Sequence, residues 1–225
     1  MKHSNILIIG LLAIILLFVA GSNLVLKAEF EKIDQKDPFS GYKREILKPF
    51  SYVKINGKQV GVTQIQPGAA FQIHYITDRK MLDWKINGDT LELTHKAISD
   101  EAADRYFDFD SKPAIYISAP KLSGVDVSNT VNIIKGWKTT DFILNQKGKS
   151  TLLTENSISN LSARLNSGGY LLINGKNKIG KSNILVKDSS ELSSDKDVFN
   201  SFEVSVDSLA KIKLPGSLYK KITKL

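Results

Sequence analysis

The sequence predicts an all-β fold, a solenoid similar to a parallel β-helix with N-terminal hairpins, preceded by one N-terminal transmembrane or signal helix. Three observations predict it. A long uncharged apolar run lies near the N-terminus, apolar and polar residues alternate from Phe50 onward, and strand-and-turn segments recur about every 20 residues after Pro120. An alternation of period two is typical of strands with one buried face, and a repeat near 20 residues is typical of stacked coils.

The apolar run extends from Ile6 to Leu26, contains no charged residue and follows a short basic start at Lys2. Its 21 residues are enough for a helix across a hydrocarbon layer about 30 Å thick. We therefore assign residues 1–27 to a membrane anchor or export signal. The positive-inside rule predicts the N-terminus in the cytoplasm and the body outside it. The apolar positions of this anchor include Ile6, Leu7, Leu11, Ile14, Leu17, Val19, Leu24 and Leu26.

Two other interpretations of this segment stay open. Val19-Ala20-Gly21 supplies small residues at a position suited to signal cleavage, which would leave a secreted or periplasmic protein. A core helix of a soluble protein can have the same composition. Because the apolar character resumes at Leu24, after the small residues, we expect a retained anchor. The protein would then be a single-pass protein of the inner membrane, with its bulk facing the periplasm.

Residues 28–49 are interpreted as a stalk between the anchor and the body. Lys36-Asp37-Pro38 and Lys48-Pro49 interrupt any helix, and the charges alternate without helical periodicity. The folded domain is therefore expected over residues 50–225.

The body begins with short strands and hairpins. Asn56-Gly57 and Asn87-Gly88 each follow an alternating run. Asn-Gly is the strongest local signal for a tight hairpin turn, because both residues tolerate a positive φ. Only the segment from Ser99 to Phe107 has a helical pattern.

Five repeated segments after Pro120 place alternating apolar residues before a small polar turn. Their last apolar residues are separated by 17, 21, 21 and 20 positions, and each turn is followed by a second short apolar strand. Stacked coils of this kind would bury an apolar column and expose corners of Asn, Ser, Asp and Gly. A β-sandwich or meander with evenly spaced hairpins is the alternative. The column that the spacing predicts consists of Val127, Leu144, Leu165, Val186 and Val206.

The net charge of +8 comes almost entirely from lysine, since the chain has only four arginines. Nucleic-acid recognition favours the bidentate guanidinium group, so we expect a membrane surface, an acidic envelope polysaccharide or a protein partner, and no nucleic acid. The alternative is that the lysines only solvate turns and strand edges. The lysines that cluster around the predicted coil corners are the candidates for a polyanion contact: Lys147, Lys149, Lys176, Lys178, Lys181, Lys211 and Lys213.

Cysteine is absent, which excludes a disulfide framework, a thiolate nucleophile, a cysteine-ligated zinc ion and a lipid-modified cysteine. Of the three histidines, His3 belongs to the export segment, while His74 and His95 lie in alternating strands. His74 is expected on the surface because its neighbours Ile73 and Tyr75 face the other way. No catalytic triad is predicted.

The acidic residues give no strong catalytic signal either. The densest acidic stretch, 100–110, lacks the glycine of a calcium-binding turn and is interpreted as a charged helix leading into a strand. Asp188 and Asp207 lie about one coil apart, a geometry that could serve a retaining glycosidase, but we interpret them as corner residues of the repeat. Trp137, in a polar corner, is the candidate for stacking on a sugar ring. No metal, cofactor or catalytic residue is expected.

The motifs FSYVKINGKQVGVTQIQPG, DWKINGDTLEL and AIYISAPKLSGVDVSN, with the anchor, stalk and tail repeats, carry a family resemblance. The chain resembles the family of unknown function named putative auto-transporter adhesin, head GIN domain, over roughly Phe50 to Pro215. The resemblance implies a single-stranded right-handed β-helix-like fold, a bacterial envelope location and no assigned enzymatic activity. This sequence departs from that pattern in its fewer coil glycines and in its bulky corner at 136–141.

Two classes of function follow. The favoured one is a non-enzymatic, adhesin-like binding or scaffold module exposed at the cell envelope. It would contact acidic glycans or the membrane surface through its lysine-rich corners. The other is a glycan-active β-helix enzyme, a lyase or hydrolase, which would need carboxylates, an arginine and an aromatic ring converging in one groove.

Overall fold

The computed structural model describes four stretches of the chain: residues 3–31, 37–58, 60–96 and 108–222. The helix expected from Ser99 to Phe107, and with it most of the acidic stretch, lies outside the described residues. The chain divides into two units, Met1–Tyr42 and Lys43–Leu225.

The first unit contains one helix, α1 (His3–Glu31), which continues without interruption through Gly21. The segment Asn5–Glu31 is long and apolar enough to cross a membrane, by length and composition. Its side chains are all exposed, including Leu7 at 75% and Leu17 at 73%. The helix extends beyond the predicted boundary at residue 27, and the described residues of the unit leave its apolar side chains uncovered.

In its described residues, the second unit is built from strands, with one 3₁₀ turn, η1 (Arg79–Met81), and one short helix, α2 (Gly216–Tyr219). Seventeen strands lie within the described residues: β1 (Lys43–Ile46), β2 (Tyr52–Gly57), β3 (Thr63–Pro67), β4 (Gln72–Tyr75), β5 (Leu82–Asn87), β6 (Thr90–His95), β7 (Ile115–Ala119), β8 (Gly124–Ser128), β9 (Asn132–Lys135), β10 (Lys138–Lys147), β11 (Ser150–Thr154), β12 (Ser157–Asn166), β13 (Tyr170–Ile173), β14 (Lys178–Val186), β15 (Glu191–Ser194), β16 (Phe199–Val206) and β17 (Lys211–Lys213).

These strands form two sheets. Sheet A has the order β1-β4-β7-β3-β9-β11-β13-β15-β17, and sheet B has the order β16-β14-β12-β10-β8-β2-β6-β5. From β8 to β17 the chain alternates between the sheets, and each strand pairs in parallel with the strand two further along. This topology confirms the predicted all-β solenoid. The sandwich alternative is wrong, because hairpins would have paired these strands antiparallel.

The N-terminal coils do not follow chain order. In sheet B, β2 lies between β6 and β8 and pairs in parallel with both. In sheet A, β3 lies in the same way between β7 and β9. The coil β6–β7 is therefore stacked outside the coil β2–β3, and antiparallel β5 and β4 cover it.

The two Asn-Gly pairs have different roles. Asn87-Gly88 forms the predicted tight turn, since β5 and β6 pair antiparallel up to Asn87 and Thr90. The hairpin predicted at Asn56-Gly57 is wrong, because β2 has only parallel neighbours. Gly57 has a φ of +109°, and a Cβ there would lie 2.1 Å from the carbonyl oxygen of His95. The glycine therefore allows two coils to approach closely.

The beginning of the body differs from the expected stalk boundary. Residues Lys43–Ile46, which lie inside the predicted stalk, form β1 and pair antiparallel with β4. Leu47 packs against the hydrophobic core. The prolines and scattered charges of this segment therefore do not prevent an edge strand from forming.

The predicted column mixes two neighbouring inward columns of sheet B. Leu144 is aligned with Val125 and Ala163, whereas Gln146 is aligned with Val127 and Leu165. Assigning Leu144 to the column of Val127 is therefore wrong by two residues. The first of these columns consists of Leu91, Val53, Val125, Leu144, Ala163, Ile184 and Val204. The second consists of Leu93, Ile55, Val127, Gln146, Leu165, Val186 and Val206.

One corner between the sheets is held by a column of side-chain hydrogen bonds. Asn156 Oδ1 accepts from the backbone N–H of Trp137 at 2.9 Å, and its Nδ2 donates to the carbonyl of Ile134 at 2.9 Å. In the next coil, Asn177 Oδ1 accepts from the backbone N–H of Asn156 at 3.0 Å, and its Nδ2 donates to the carbonyl of Leu153 at 2.8 Å. Both asparagines are buried, so each amide satisfies backbone groups that the turn would otherwise leave unpaired.

Candidate functional site

On the outer face of sheet B, a row of residues breaks the regular alternation of inward and outward side chains. In each of β10, β12, β14 and β16 two consecutive residues face outward, and the aligned pairing lapses at the first of them. The glycine of the row is required, since a Cβ on Gly180 would lie 2.4 Å from the carbonyl oxygen of Ser159. The outward pairs are Thr140-Asp141, Ser159-Asn160, Gly180-Lys181 and Asn200-Ser201.

A groove follows this row along the stacking direction; we call it the axial groove. Its widest part, with a volume of about 1000 Å³, lies over β12, β14 and β16. It joins a central part of about 450 Å³ through Asn160, Lys181 and Ser201, and that part joins a third of about 700 Å³ through Asp141. From the corner before β8 to β16 the groove crosses four strand spacings, about 19 Å at 4.8 Å per strand.

Exposed hydroxyl and amide groups line the floor of the axial groove in its widest part. Ser157, Ser159, Asn160, Asn200 and Ser201 are all exposed and line its widest part. Asn160 donates from Nδ2 to Asp141 Oδ1 at 2.9 Å, which orients its amide toward the central part. Such a floor can donate and accept hydrogen bonds at intervals set by the strand spacing.

Three lysines beside this floor carry uncompensated charge. Lys178, Lys181 and Lys196 are exposed and form no ion pair with any residue in the described part of the chain. A fourth, Lys221, has its Nζ 2.7 Å from Asp197 Oδ2 and donates to the carbonyl of Phe199 at 2.7 Å. Among the described residues, Asp197 is the only acidic one that lines the widest part. This end of the groove is therefore strongly positive.

The structure brings together only some of the seven lysines proposed as polyanion contacts. Lys178 and Lys181 line the axial groove, whereas Lys176, at the same corner, has its Nζ 3.6 Å from Glu155 Oε1. The others are exposed but lie elsewhere: Lys147 and Lys149 flank the opposite corner, and Lys211 and Lys213 lie in β17 of sheet A.

Lys196 was not among the predicted residues. Ile173 is aligned with Ser194, so the 21-residue step places Lys196 beside Gly175 in the preceding coil. The space left by Gly175 accommodates the Lys196 side chain, whose Cδ would lie 2.5 Å from a Cβ at that position. Extending the coil alignment to this turn would have identified it.

Trp137 is not an exposed sugar platform. Only 2% of it is exposed, and its Nε1 donates to the carbonyl of Ile65 at 3.1 Å. The indole fills the corner between the sheets as part of the hydrophobic core, which corrects the stacking hypothesis. The sequence around Gly136 and Lys138 indicates a polar corner, but the tryptophan ring points inward where the chain passes from one sheet to the other.

The two strand histidines are both buried, which corrects the surface position expected for His74. His74 lies in β4, between β1 and β7, and both faces of that strand are covered. Burial lowers the pKa of His95 to about 4. Its Nε2 lies 3.3 Å from Thr63 Oγ1, and its Nδ1 has no hydrogen-bond partner in the described part of the chain.

Within the corner pair, the carboxylate of Asp207 has a structural role. Asp207 accepts backbone N–H hydrogen bonds from Asp188 at 2.8 Å, Leu209 at 3.0 Å and Ala210 at 2.9 Å. These bonds, the one from Asp188 above all, lower the pKa of Asp207. The hydrogen bonds of this carboxylate go to backbone N–H groups of the turns, which agrees with its interpretation as a corner residue of the repeat.

Another acidic side chain, Asp126, is bound to its neighbours on the outer face of sheet B. Asp126 Oδ1 accepts from the hydroxyl of Tyr52 at 2.6 Å and from Asn145 Nδ2 at 2.5 Å. Burial and this hydrogen bond raise the pKa of Tyr52. Across the described residues, no group of three His, Cys, Asp or Glu side chains is placed to hold a metal ion.

No protein-family model and no curated protein matches the sequence. Among solved structures, the chain is similar to one named putative adhesin from Bacteroides fragilis NCTC 9343. The two are 11% identical, the match covers 77% of this chain and 96% of that one, and the TM-score is 0.50. That likeness supports the solenoid fold of the body.

Two further solved structures are less similar. One is named putative adhesin, from Parabacteroides merdae ATCC 43184, with 11% identity, coverage of 77% and 92% and a TM-score of 0.33. The other is named putative lipid binding protein, from Parabacteroides distasonis ATCC 8503, with 13% identity, coverage of 77% and 94% and a TM-score of 0.34. The specific family resemblance drawn from the motifs stays a prediction.

Proposed function

We propose that this protein is a non-enzymatic, adhesin-like binding module of the bacterial cell envelope, tethered by α1, which contacts acidic envelope polymers. The observation that carries the proposal is the set of exposed lysines without ion-pair partners in the described residues, Lys178, Lys181 and Lys196, beside an extended polar groove. Each lysine near an anionic surface contributes about 1 kcal/mol, so several together give useful but reversible binding.

The tether supports a location at the inner membrane with the body in the periplasm. Apolar side chains are exposed on all sides of α1, as expected of a helix that is surrounded by lipid. The flank before it is basic at Lys2, while the flank after it carries both signs, among them Lys27 and Glu31. The positive-inside rule then favours a cytoplasmic N-terminus.

The hydrogen bonds of two acidic side chains, Asp207 and Asp126, support binding in preference to catalysis. A glycan hydrolase needs one carboxyl group free to transfer a proton and a second free to act as nucleophile or base. Asp207 is instead bound to three backbone N–H groups, and Asp126 is bound to Tyr52 and Asn145.

The test uses the full chain in nanodiscs of zwitterionic lipid, mixed with insoluble cell-wall sacculi and sedimented over a series of salt concentrations. We expect the protein to pellet with the sacculi at low salt and to be released when salt is raised tenfold. The reason is that charge interactions are screened over about 10 Å at 0.1 M salt and about 3 Å at 1 M. The proposal is contradicted by a lack of binding at low salt, or by binding that salt does not change.

A further inference from the structure

We infer that the axial groove is the binding site and that its ligand is a linear carboxylated polysaccharide. The carboxylates of the polymer lie against Lys178, Lys181 and Lys196, and its hydroxyl groups hydrogen-bond the serine and asparagine side chains of the floor. This inference rests on the proposed function and adds to it the site and the chemistry of the ligand.

The direction of the groove suits an extended chain. The groove runs across the strands, so a polymer lying in it meets equivalent positions of successive coils about 4.8 Å apart. Asn160, Lys181 and Ser201 are aligned in one such row, and Asp141 precedes them. A ligand with regularly repeated polar groups can therefore contact several coils at once, and weak contacts add along its length.

The charges within the groove are unevenly distributed. Lys178, Lys181 and Lys196 lie over β14 and the corner before β16. The central part has Asp141 and Glu203 on its walls, and the third part is lined by Lys121 and Lys138. Carboxylate groups of a ligand would be held at the lysine-lined ends, and neutral hydroxyls would face the acidic walls between them. A polymer that carries both kinds of group fits this distribution better than a uniformly charged one.

The side chains that line the groove also favour a polysaccharide over other polyanions. The aromatic rings beside it, Phe142, Phe199 and Trp137, point inward and are at most 3% exposed. None of the arginines in the described part of the chain lines any of its three parts. Single-stranded nucleic acid is usually held by exposed aromatic rings and by guanidinium groups. A flat bilayer would reach the rim of a concave groove but not the hydroxyl and amide groups of its floor.

The experiment compares two triple variants of the full chain in zwitterionic nanodiscs. The groove variant is K178Q/K181Q/K196Q, and the matched control is K147Q/K211Q/K213Q, which removes the same charge from exposed positions outside the groove. The probes are size-fractionated oligogalacturonates, their methyl esters as neutral controls, and vesicles containing phosphatidylglycerol. Melting midpoints of both variants are measured, and we expect them unchanged because all six side chains are exposed.

We expect the Kd for oligogalacturonate to rise at least tenfold in the groove variant and less than twofold in the control. Affinity should increase with oligomer length and level off once the chain spans the groove, and the methyl esters should not bind. Equal losses in both variants would overturn the groove as the site and leave the proposed function standing. Binding to the anionic vesicles alone would overturn the polysaccharide and leave a membrane-surface contact. Failure to bind either probe, together with failure to bind sacculi, would overturn both proposals.

Discussion

At the scale of single residues, Gln146 shows how a polar side chain can occupy a place in a buried column. It is 1% exposed; its Nε2 donates to the carbonyl of Gly148, and its Oε1 accepts from the hydroxyl of Thr151. Both partners lie just beyond the strand, so the amide closes the turn between β10 and β11 from inside. A buried polar group is tolerated when its hydrogen bonds are satisfied in this way.

Leu165, the next residue of that column, provides a test of the stacking. It is fully buried, with Gln146 on one side and Val186 on the other. We expect Leu165→Ala to lower the free energy of unfolding by about 2 to 5 kcal/mol, since the neighbouring coils cannot close the cavity. The matched control is Arg164→Ala on the exposed side of the same strand, for which we expect a change within about 0.5 kcal/mol. Urea denaturation in detergent measures both, and similar effects of the two substitutions would contradict the register.

His95 makes stability depend on pH. Its pKa is lowered to about 4 in the folded protein by burial, against an ordinary value of 6.5. The unfolded chain therefore binds a proton at a higher pH than the folded one. The free energy of unfolding is therefore not reduced by this histidine above about pH 6.5. It falls as the pH decreases toward 4, by about 3 kcal/mol at 1.4 kcal/mol per pKa unit.

The measurement is the free energy of unfolding at several pH values for the natural chain and for His95→Gln. Carboxylates titrate in both proteins, so the difference between the two curves isolates the histidine. We expect the natural chain to lose stability more steeply than the variant between pH 6.5 and 4. Parallel curves over that interval would show that the imidazole is not buried as described.

At the scale of elements, the four strands β10, β12, β14 and β16 of sheet B each serve two purposes. The residues before and after the outward pair point into the core, as in Ile158 and Leu161 of β12, while the pair itself faces the groove. A strand that alternated strictly would present one outward residue per step and a flat surface. The local break in alternation therefore makes the surface of the sheet concave, and its repetition in four strands gives the axial groove its length.

The helix α1 permits a prediction about processing. A helix over Asn5–Glu31 rises about 40 Å at 1.5 Å per residue, more than a hydrocarbon layer of about 30 Å requires. We expect the mature chain to begin at Met1 and to remain in membranes during alkaline-carbonate extraction. Intact-mass spectrometry decides it, with Ala20→Leu, which removes a small residue, as a control that should leave processing unchanged. A chain that begins at Ser22 or nearby would instead indicate a cleaved signal.

At the scale of the whole body, stability should vary along the stack. Strands in the middle of a solenoid are paired on both sides, whereas β16 and β17 are paired on one side only. The helix α2 protects that end: Leu218 is fully buried, and Lys221 donates to the carbonyl of Phe199 at the edge of β16.

Hydrogen exchange followed by mass spectrometry tests this gradient. We expect peptides from β10 to β13 to exchange slowest and those from β16 and β17 to exchange faster, because opening the last coil breaks one interface only. Leu218→Ala should accelerate exchange in β16 and β17 and leave β10 to β13 unchanged. Uniform exchange along the stack, or an effect of Leu218→Ala on every coil, would indicate that the body opens as one unit.

Several features of this protein follow from the sequence alone. The apolar run predicts α1, the Asn87-Gly88 turn predicts the hairpin of β5 and β6, and the repeat near 20 residues predicts the coils after Pro120. These succeed because each depends on local chemistry: helix length, the φ tolerance of asparagine and glycine, and the period of apolar residues. The lysine-based contact stays a prediction, and two of its seven candidate residues, Lys178 and Lys181, line the axial groove.

Only the tertiary structure decided the rest, because each remaining feature depends on residues distant in sequence. The order β6-β2-β8 results from pairing across more than 30 residues, for which the sequence carries no local signal. The register that aligns Gln146 with Leu165 depends on a turn closed by a buried amide, so counting apolar residues placed Leu144 in the wrong column. Trp137 points inward because the corner next to Ile65 leaves space for its ring. Lys196 joins the axial groove because Gly175 of the preceding coil leaves space for its side chain.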